Sequence, residues 1–328
     1  MTAGVHGAGG SMIETRDLQR TFKTRSGAVE AVRGVDLDVT SGEIFGFLGP
    51  NGAGKTTTLR MLATLLKPTS GIATVAGADL AREPQTVRRR IGYVPQGGST
   101  DPAETGRGEL ILQGRLYGLS KSDAEARAAE VLTTLELDGA ADRPTGTYSG
   151  GMRRRLDVGL GIVHRPMVLF LDEPTTGLDP QARARMWEEI QRLREQGTTV
   201  FLTTHYLEEA DALCDRLAII DHGRIVARGT SDELKHEVAG DVVKIGVDGA
   251  GASVLALVEA MPFVREASLD EDTDLVRLYV DRGETAVPQL LRSLDAAGLA
   301  PTSIALNKPS LDDVFLRQTG RSLREEAA

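Results

Sequence analysis

The sequence contains a single cysteine, no long apolar run and no excess of positive charge. Because Cys214 has no second cysteine to pair with, the chain cannot form an internal disulfide, which suits a reducing compartment. No stretch reaches the roughly 18 consecutive apolar residues of a membrane-spanning helix, so a role at a membrane would require a partner. The net charge of -9 argues against nucleic acid as the main partner, because such binding usually needs a basic surface.

Length and composition predict a globular protein of more than one domain. A chain of 328 residues exceeds the size that one core usually supports, and 41% hydrophobic residues supply material for two. Residues 1–11 are rich in Gly and Ala and lack the charged start and apolar block of a signal peptide, so we expect a disordered tail. The composition changes after His236, which predicts one domain over 12–236 and an accessory or regulatory domain over 237–328.

The most informative motif fits the P-loop pattern GxxxxGK[ST] and lies between a β-prone apolar run, 43–48, and a helix-like run. Its glycines let successive backbone N–H groups turn toward one anion, and the helix N-terminus adds its positive end. Lys55 is expected to neutralise the β- and γ-phosphates of a nucleotide, and Thr56 to offer its hydroxyl to Mg²⁺. The predicted nucleotide-binding residues of this segment are Gly49, Pro50, Asn51, Gly52, Ala53, Gly54, Lys55, Thr56 and Thr57.

A second motif places two carboxylates at the end of an apolar run. Residues 167–171 read as a buried parallel strand, which would deliver Asp172 and Glu173 to the carboxyl edge of a sheet. Together with the P-loop this is a Walker B arrangement. Asp172 is expected to hold Mg²⁺ through water, and Glu173 to polarise the attacking water as general base.

Between these motifs, Ser149, Gly150 and Gly151 open a helical stretch and predict another anion-binding helix N-terminus. The segment resembles the signature motif of the ATP-binding-cassette (ABC) family, and the resemblance extends over residues 12 to about 235. The three arginines that follow, 153–155, are interpreted as a solvated helix face.

The resemblance implies roles for four further residues. Gln96 occupies the position of the Q-loop glutamine, which senses Mg²⁺ and the attacking water, and His205 that of the switch histidine, which contacts the γ-phosphate. Asp179 lies in the D-loop, where it also suits the N-cap of a helix beginning near Pro180. Phe22 lies where the family places an aromatic ring against adenine, although it also fits a core aromatic.

The fold implied is an α/β P-loop ATPase domain with a helical subdomain at about 98–160, part of which, 101–141, would grip a membrane subunit. Beyond residue 241 the pattern itself predicts a βαββαβ order, compatible with a small α+β sandwich of ferredoxin-like type. Its predicted elements are a strand at 242–247, a helix at 252–260, strands near 264–267 and 275–280, a helix at 285–297 and a strand at 303–306.

The closing segment, 308–320, resembles the C-terminal motif of daunorubicin-resistance-type drug and antibiotic exporter ATPases. Read from its residues alone, Ser310 is the N-cap of a helix whose apolar face carries Leu311, Val314 and Phe315. Such a helix is a candidate dimer or regulatory contact.

The resemblance implies a head-to-tail pair of this chain, in which each ATP is held between one P-loop and the signature motif of the other copy. The expected protein is the ATP-binding and hydrolysing subunit, with Mg²⁺, of an exporter of a drug, antibiotic or other hydrophobic compound. It would act through a separately encoded membrane subunit and would itself be a peripheral protein at the cytoplasmic face of the membrane. Nucleic acid is not expected as a partner. Two alternatives are a soluble ABC ATPase that acts on ribosomes or DNA, and an importer ATPase with a regulatory C-terminal domain.

Overall fold

The computed structural model describes residues 10–25, 27–237, 240–270 and 273–319. The chain divides into two compact units, with the boundary between Ser231 and Asp232, slightly earlier than the sequence suggests. The predicted tail, 1–11, lies outside the described residues except for Gly10 and Ser11, and Ser11 begins the first strand.

The first unit is built from ten strands and seven helices within the described residues, and an eighth helix begins at the boundary. The strands are β1 (Ser11–Thr24), β2 (Gly27–Thr40), β3 (Ile44–Leu48), β4 (Ser70–Val75), β5 (Ala78–Asp79), β6 (Ile91–Val94), β7 (Val168–Asp172), β8 (Thr199–Thr204), β9 (Arg216–Asp221) and β10 (Arg224–Gly229). The helices are α1 (Lys55–Leu62), α2 (Pro84–Arg90), α3 (Gly106–Leu116), α4 (Lys121–Thr134), α5 (Gly150–Ile162), α6 (Pro180–Glu195), α7 (Leu207–Leu213) and α8 (Ser231–Glu237).

A six-stranded sheet, in the order β10-β9-β3-β8-β7-β6, positions the chemistry of this unit. All its pairs are parallel except β10 with β9, and β3, β7 and β8 are buried along their whole length, as expected for a sheet covered on both faces. Leu48 pairs with Thr204, and Asp172 pairs with Thr203. The residues that follow these strands therefore emerge at one edge of the sheet.

Aromatic packing holds the middle of this sheet. The ring of Phe201 lies 5.7 Å from that of Phe45, 5.6 Å from that of Phe47 and 5.7 Å from that of Phe170. These are the centroid distances of stacked and tilted aromatic pairs. A second, four-stranded sheet, β2-β1-β4-β5, is antiparallel throughout.

The segment between β6 and β7 is helical, as the sequence suggests, and contains α3, α4 and α5. Each of these helices begins at a capping hydroxyl: Thr105, Ser120 and Ser149 accept hydrogen bonds from backbone N–H groups in the first turn. Within the described ranges, no helix is long and apolar enough to cross a membrane.

The second unit confirms the predicted βαββαβ order. Its elements are β11 (Asp241–Gly246), α9 (Gly251–Glu259), β12 (Val264–Asp270), β13 (Leu275–Val280), α10 (Gly283–Ala296), β14 (Ser303–Asn307) and α11 (Leu311–Thr319). The antiparallel sheet has the order β12-β13-β11-β14, so β13 lies between the two strands that α9 connects. This is the split βαβ arrangement of a ferredoxin-like sandwich.

The last helix, α11, is anchored to this sheet by a buried ion pair. Ser310 caps α11 as predicted, because its hydroxyl accepts from the backbone N–H of Asp313 at 3.3 Å. The Asp313 carboxylate lies 3.4 Å from the Arg277 guanidinium of β13, and both side chains are largely buried. The apolar residues Leu311, Val314 and Phe315 are buried within the chain, so this face of α11 is not exposed to a second copy.

Replacing Asp313 by Ala should destabilise the second unit. The change leaves the Arg277 guanidinium without its carboxylate, and breaking a buried ion pair in this way costs about 3 kcal/mol. Differential scanning calorimetry of the full chain should show the transition of this unit at lower temperature. Asp295→Ala, which removes an exposed carboxylate from α10, is the control and should stay within about 0.5 kcal/mol of the wild type. Equal effects of the two changes would contradict the assignment.

Candidate active site

The P-loop connects the carboxyl end of β3 to the N-terminus of α1. Gly54 caps α1 with a φ of 108°, and a Cβ there would lie 2.5 Å from the carbonyl oxygen of Ala31. Only glycine satisfies both constraints. The first N–H groups of α1 have no acceptor inside the helix, so they are available to an anion at the loop.

The Lys55 side chain is buried and turns back over the loop. Its Nζ donates to the carbonyl oxygens of Gly49 at 2.8 Å and Pro50 at 3.1 Å, and it lies 3.5 Å from Oε1 of Glu173. Burial lowers the pKa of Lys55, and the Glu173 carboxylate acts in the opposite direction. The loop thus carries a buried cation that lies among its own carbonyl oxygens and beside one carboxylate.

The remaining predicted residues of this segment occupy the same loop and the first turn of α1. Gly49, Pro50 and Ala53 are buried, Asn51 and Gly52 are exposed, and Thr56 and Thr57 are half-buried.

Asp172 fits the predicted metal role. Its carboxylate is completely buried, and Oδ1 accepts from the hydroxyls of Thr56 at 3.0 Å and Thr203 at 2.7 Å. Oδ2 is also buried but has no hydrogen-bond partner among the described residues. A buried carboxylate oxygen without a donor suits Mg²⁺ or a water bound to it. The described residues contain no cluster of three or more His, Cys, Asp or Glu that could hold a metal, so water and substrate oxygens would supply the other ligands.

Donors from four parts of the chain converge on the Glu173 carboxylate. Gln96 donates to Oε2 at 2.7 Å and Thr176 donates to it at 3.2 Å, while Nδ1 of His205 lies 3.4 Å away. Lys55 faces the other oxygen. The structure thus brings together the three predicted catalytic residues, Gln96, Glu173 and His205.

The surroundings of Glu173 keep it ionised. The adjacent His205 side chain is the largest cause that lowers the pKa of Glu173, burial acts against it, and the charge of Lys55 lowers the pKa further. A carboxylate that is ionised at neutral pH can accept a proton from water.

Thr203 has a structural role in the site that the sequence did not reveal. Glu173 adopts a left-handed backbone with a φ of 46°, and its N–H donates to the carbonyl oxygen of Thr203 at 3.1 Å and to the hydroxyl at 3.0 Å. The same hydroxyl donates to Asp172. Thr203 therefore fixes the backbone of Glu173 and the side chain of Asp172. The contacts with the Glu173 N–H account for the persistence of its strained left-handed backbone.

The signature and D-loop residues lie at the starts of helices. Ser149 accepts from the N–H of Met152 at 3.2 Å, and both Ser149 and Gly150 are exposed, while Gly151 is half-buried. Asp179 caps α6 as predicted, accepting from the N–H of Ala182 at 2.8 Å. Their contact with nucleotide stays a prediction.

Phe22 is half-buried near the end of the β1–β2 hairpin. It pairs with Val29, and the Arg20 guanidinium lies 4.6 Å from the centre of its ring. Ala31, two residues beyond Val29, touches the P-loop at Gly54. The ring therefore lies on β1, beside the strand that reaches the P-loop, and adenine stacking stays a prediction.

The interpretation of residues 153–155 as a solvated face is wrong for two of the three arginines. Arg153 is exposed, but Arg154 is only 7% exposed, and Arg155 donates to the carbonyl oxygen of Leu135 at 2.7 Å. A run of charges does not lie on one face of a helix, because consecutive side chains point in directions about 100° apart. Val158, four residues after Arg154, is apolar and indicates the buried face.

A buried carboxylate ties the turn after Glu173 to helices α6 and α7. Oε1 of Glu209 accepts from the Thr175 hydroxyl at 2.7 Å and from the Trp187 indole N–H at 3.1 Å. Burial raises the pKa of Glu209, and these hydrogen bonds oppose the rise. The sequence did not predict this contact, because the three residues lie in separate elements.

Comparison with known proteins places these features in a family. Residues 32–176 match the family model described as ABC transporter. Residues 229–319 match the family model described as ATP-binding protein DrrA1-3-like, C-terminal domain. The chain is 47% identical over 301 residues to daunorubicin resistance ATP-binding protein DrrA2 of Streptomyces coeruleorubidus, covering 91% of this chain and 93% of that protein. It is 40% identical to Nod factor export ATP-binding protein I of Burkholderia lata, covering 95% and 98% of the two chains.

Among solved structures, the chain resembles a dimeric ATP-binding cassette, MJ0796, in a post-hydrolysis state bound to ADP and Pi. The TM-score is 0.62 at 25% identity, and the match covers 67% of this chain and 98% of that one. This match agrees with the P-loop α/β fold expected from the sequence.

Replacing His205 by Ala should raise the pKa of Glu173, because it removes the largest cause of the lowered pKa. Carbon-13 NMR titration of labelled glutamate carboxyls, with the Glu173 signal assigned through Glu173→Gln, measures the change directly. His222→Ala, at an exposed histidine outside the cluster, is the control and should leave the titration unchanged. An unaltered Glu173 titration in His205→Ala would show that His205 does not act on this carboxylate.

Proposed function

Since the chain belongs to the ABC transporter ATP-binding proteins with a DrrA-like C-terminal domain, we propose that it energises export of a drug, antibiotic or other hydrophobic compound through a separately encoded membrane subunit. The chain is an ATPase of this family. The observation that carries the hydrolytic part of the proposal is the convergence of Lys55, Gln96 and His205 on the Glu173 carboxylate at the sheet edge. Similarity to resistance and export proteins carries the export part.

Hydrolysis uses Glu173 as general base. A water oxygen attacks the γ-phosphorus, one proton of the water passes to Glu173, and the bond to the bridging oxygen breaks so that ADP leaves with the electron pair. The 2.7 Å hydrogen bond from Gln96 fixes the orientation of the carboxylate before the water arrives. His205, whose Nδ1 lies 3.4 Å from the same carboxylate, would contact the γ-phosphate.

Lys55 offsets part of the negative charge of the phosphates. Lys55 exchanges its contact with Glu173 for the β- and γ-phosphates, which leaves the base free to accept a proton. Thr56 and Asp172 would hold Mg²⁺, which neutralises charge on the β- and γ-phosphate oxygens when bound.

Two copies pair head to tail in this proposal. The exposed Ser149 and Gly150 offer a helix N-terminus to a phosphate outside their own P-loop, and the exposed Asp179 lies at the start of α6. The dimeric cassette to which this chain is similar supports the arrangement. Each nucleotide then lies between one P-loop and the signature motif, 149–151, of the other copy.

The membrane subunit has a candidate docking surface, which we call the α3 groove. A cavity of about 480 Å³ is lined by Leu65, Leu116, Tyr117, Arg88 and Arg89, among others. Leu65 is 57% exposed and Leu116 72%, so two large apolar side chains of this lining face solvent. A short segment of the membrane subunit with apolar and acidic residues would fit this surface and hold the chain at the cytoplasmic face.

The two alternatives, a soluble ATPase acting on ribosomes or DNA and an importer ATPase, receive no support from the site. The relatives named above are resistance and export proteins, which favours the exporter.

Glu173→Gln should preserve ATP binding, trap a closed dimer and reduce turnover at least about 100-fold, because it removes the general base.

Lys55→Ala should weaken ATP binding about tenfold or more, because it removes a charged hydrogen-bond donor to the phosphates. Turnover by phosphate release and binding of a fluorescent ATP analogue measure both effects. Glu188→Gln, at an exposed glutamate of α6, is the matched control with wild-type values. Comparable turnover in Glu173→Gln would refute the assigned role.

Leu116→Asp should disrupt association with the membrane subunit while leaving nucleotide binding intact, because it places a charge in the α3 groove. We expect at least about a fivefold lower yield of the co-purifying membrane protein from solubilised membranes, equivalent to roughly 1 kcal/mol. Ile72→Asp, at an apolar residue of β4 that is 66% exposed, is the control. Equal recovery with both variants would exclude the α3 groove as the docking surface, and recovery of ribosomal or DNA-repair proteins in place of a membrane protein would refute the exporter.

A further inference from the structure

The Arg154 guanidinium binds the backbone on both sides of the catalytic residues. Nη1 donates to the carbonyl oxygen of Pro95 at 2.6 Å, directly before Gln96. Nη2 donates to those of Asp172 at 3.1 Å and Glu173 at 3.3 Å, and Nε donates to that of Pro174 at 2.8 Å. One side chain of α5 therefore holds the residue that precedes Gln96 and the backbone of Glu173 itself.

Asp157, one helical turn after Arg154, binds the other end of the same loop. Its Oδ1 accepts from the Ser99 backbone N–H at 2.8 Å and lies 3.3 Å from the Ser99 hydroxyl. Gly98 has a φ of 75°, and a Cβ there would lie 3.0 Å from Asp157 Oδ2. The loop therefore makes a close turn against this carboxylate, and only glycine is unstrained at position 98.

Residues three apart lie on one face of a helix, so Arg154 and Asp157 act from the same side of α5. Together they hold both ends of the segment 95–99, which carries Gln96. We propose that Arg154 and Asp157, here called the α5 clamp, are positioning residues that set Gln96 and Glu173 in the geometry required for hydrolysis.

The chemistry of arginine explains why a residue with fewer hydrogen-bond donors cannot replace Arg154. A guanidinium has five N–H donors in one rigid plane, enough to bind four carbonyl oxygens at once. Lysine has three donors on a flexible stem and cannot reproduce this planar arrangement of donors.

Burial raises the pKa of Asp157, and hydrogen bonding from Ser99 and the charge of Arg154 oppose the rise. Each member of the clamp thus offsets the burial of the other.

The α5 clamp also connects the two nucleotide sites of the proposed dimer, a consequence that rests on the proposed function. The helix that carries the clamp begins at the signature motif, 149–151, which would touch the nucleotide bound to the other copy. A displacement of α5 on contact with that nucleotide moves the carbonyl anchors of Gln96 and Glu173. Occupancy of one site is thereby transmitted to the general base of the other.

The first test is Arg154→Lys in the full chain, with Arg153→Lys, on the exposed face of α5, as the matched control. We expect Arg154→Lys to lower kcat about tenfold while KM for ATP changes less than about threefold, because the clamp acts on the reacting groups rather than on binding. Amide exchange of a peptide covering 95–101 should accelerate in Arg154→Lys alone. Wild-type kcat and exchange in Arg154→Lys would overturn the inference.

A double-mutant cycle separates positioning from general loss of structure. Since Arg154 acts partly through Gln96 and partly through the backbone of Glu173, Arg154→Lys should lower kcat by a clearly smaller factor in a Gln96→Ala background than in the wild type. An undiminished tenfold loss in that background would show that Arg154 does not act through Gln96 and would overturn this part of the clamp.

Asp157 variants provide a test that survives if Arg154→Lys does not fold. Asp157→Asn keeps an acceptor for Ser99 and should reduce kcat slightly, whereas Asp157→Leu removes the acceptor and should reduce it about tenfold, with faster exchange at 95–101. Wild-type kcat in Asp157→Leu would overturn the inference.

Glu173→Gln, measured in parallel, distinguishes a failure of the α5 clamp from a failure of the proposed function. An inactive Glu173→Gln with unaffected clamp variants defeats the clamp alone, and an active Glu173→Gln defeats the proposed function as well.

Discussion

The Glu173 carboxylate is buried, charged and shared by donors that come from separate parts of the chain. A buried charge is tolerated only where it is paired and hydrogen-bonded, so Lys55, Gln96, Thr176 and His205 must all reach it. The parallel sheet meets this requirement by register, because β3, β7 and β8 end at one edge. The continuous apolar strands and the packing around Phe201 keep that edge fixed.

Besides these side-chain contacts, side chains from other elements hold the backbone around this carboxylate. Thr203 holds the Glu173 N–H, and the Arg154 guanidinium holds the carbonyl oxygens of Asp172, Glu173 and Pro174. Because a left-handed glutamate is strained, its conformation persists only where neighbours determine it. The position of Glu173 is therefore a property of β8 and α5 as much as of β7.

The sequence was informative wherever geometry is local. The P-loop, the two carboxylates after β7 and the caps at Ser149 and Asp179 follow from spacing and residue type, and the structure places them accordingly. The βαββαβ order of the second unit followed from the periodicity of its apolar residues, with bounds that differ by only a few residues.

Contacts between distant residues could not be predicted in the same way. Arg154 looks like one of three surface charges, and its burial depends on which face of α5 meets β7 and the loop after β6. Thr203 and the link between Glu209 and Thr175 have the same character, since each joins elements about 30 residues apart. Likewise, the Asp313 carboxylate in the closing segment gives no sign of its partner on β13, which only the register of the sheet determines.

The contact between Trp187 and Glu209 has an optical consequence. Trp187 is the only tryptophan of the 328 residues, and its indole N–H donates to the Glu209 carboxylate, which also accepts from Thr175, two residues after Glu173. Indole emission responds to charge and polarity beside the ring. The protein thus contains an intrinsic fluorophore that Glu209 links to the turn after Glu173, and no second indole contributes to its signal.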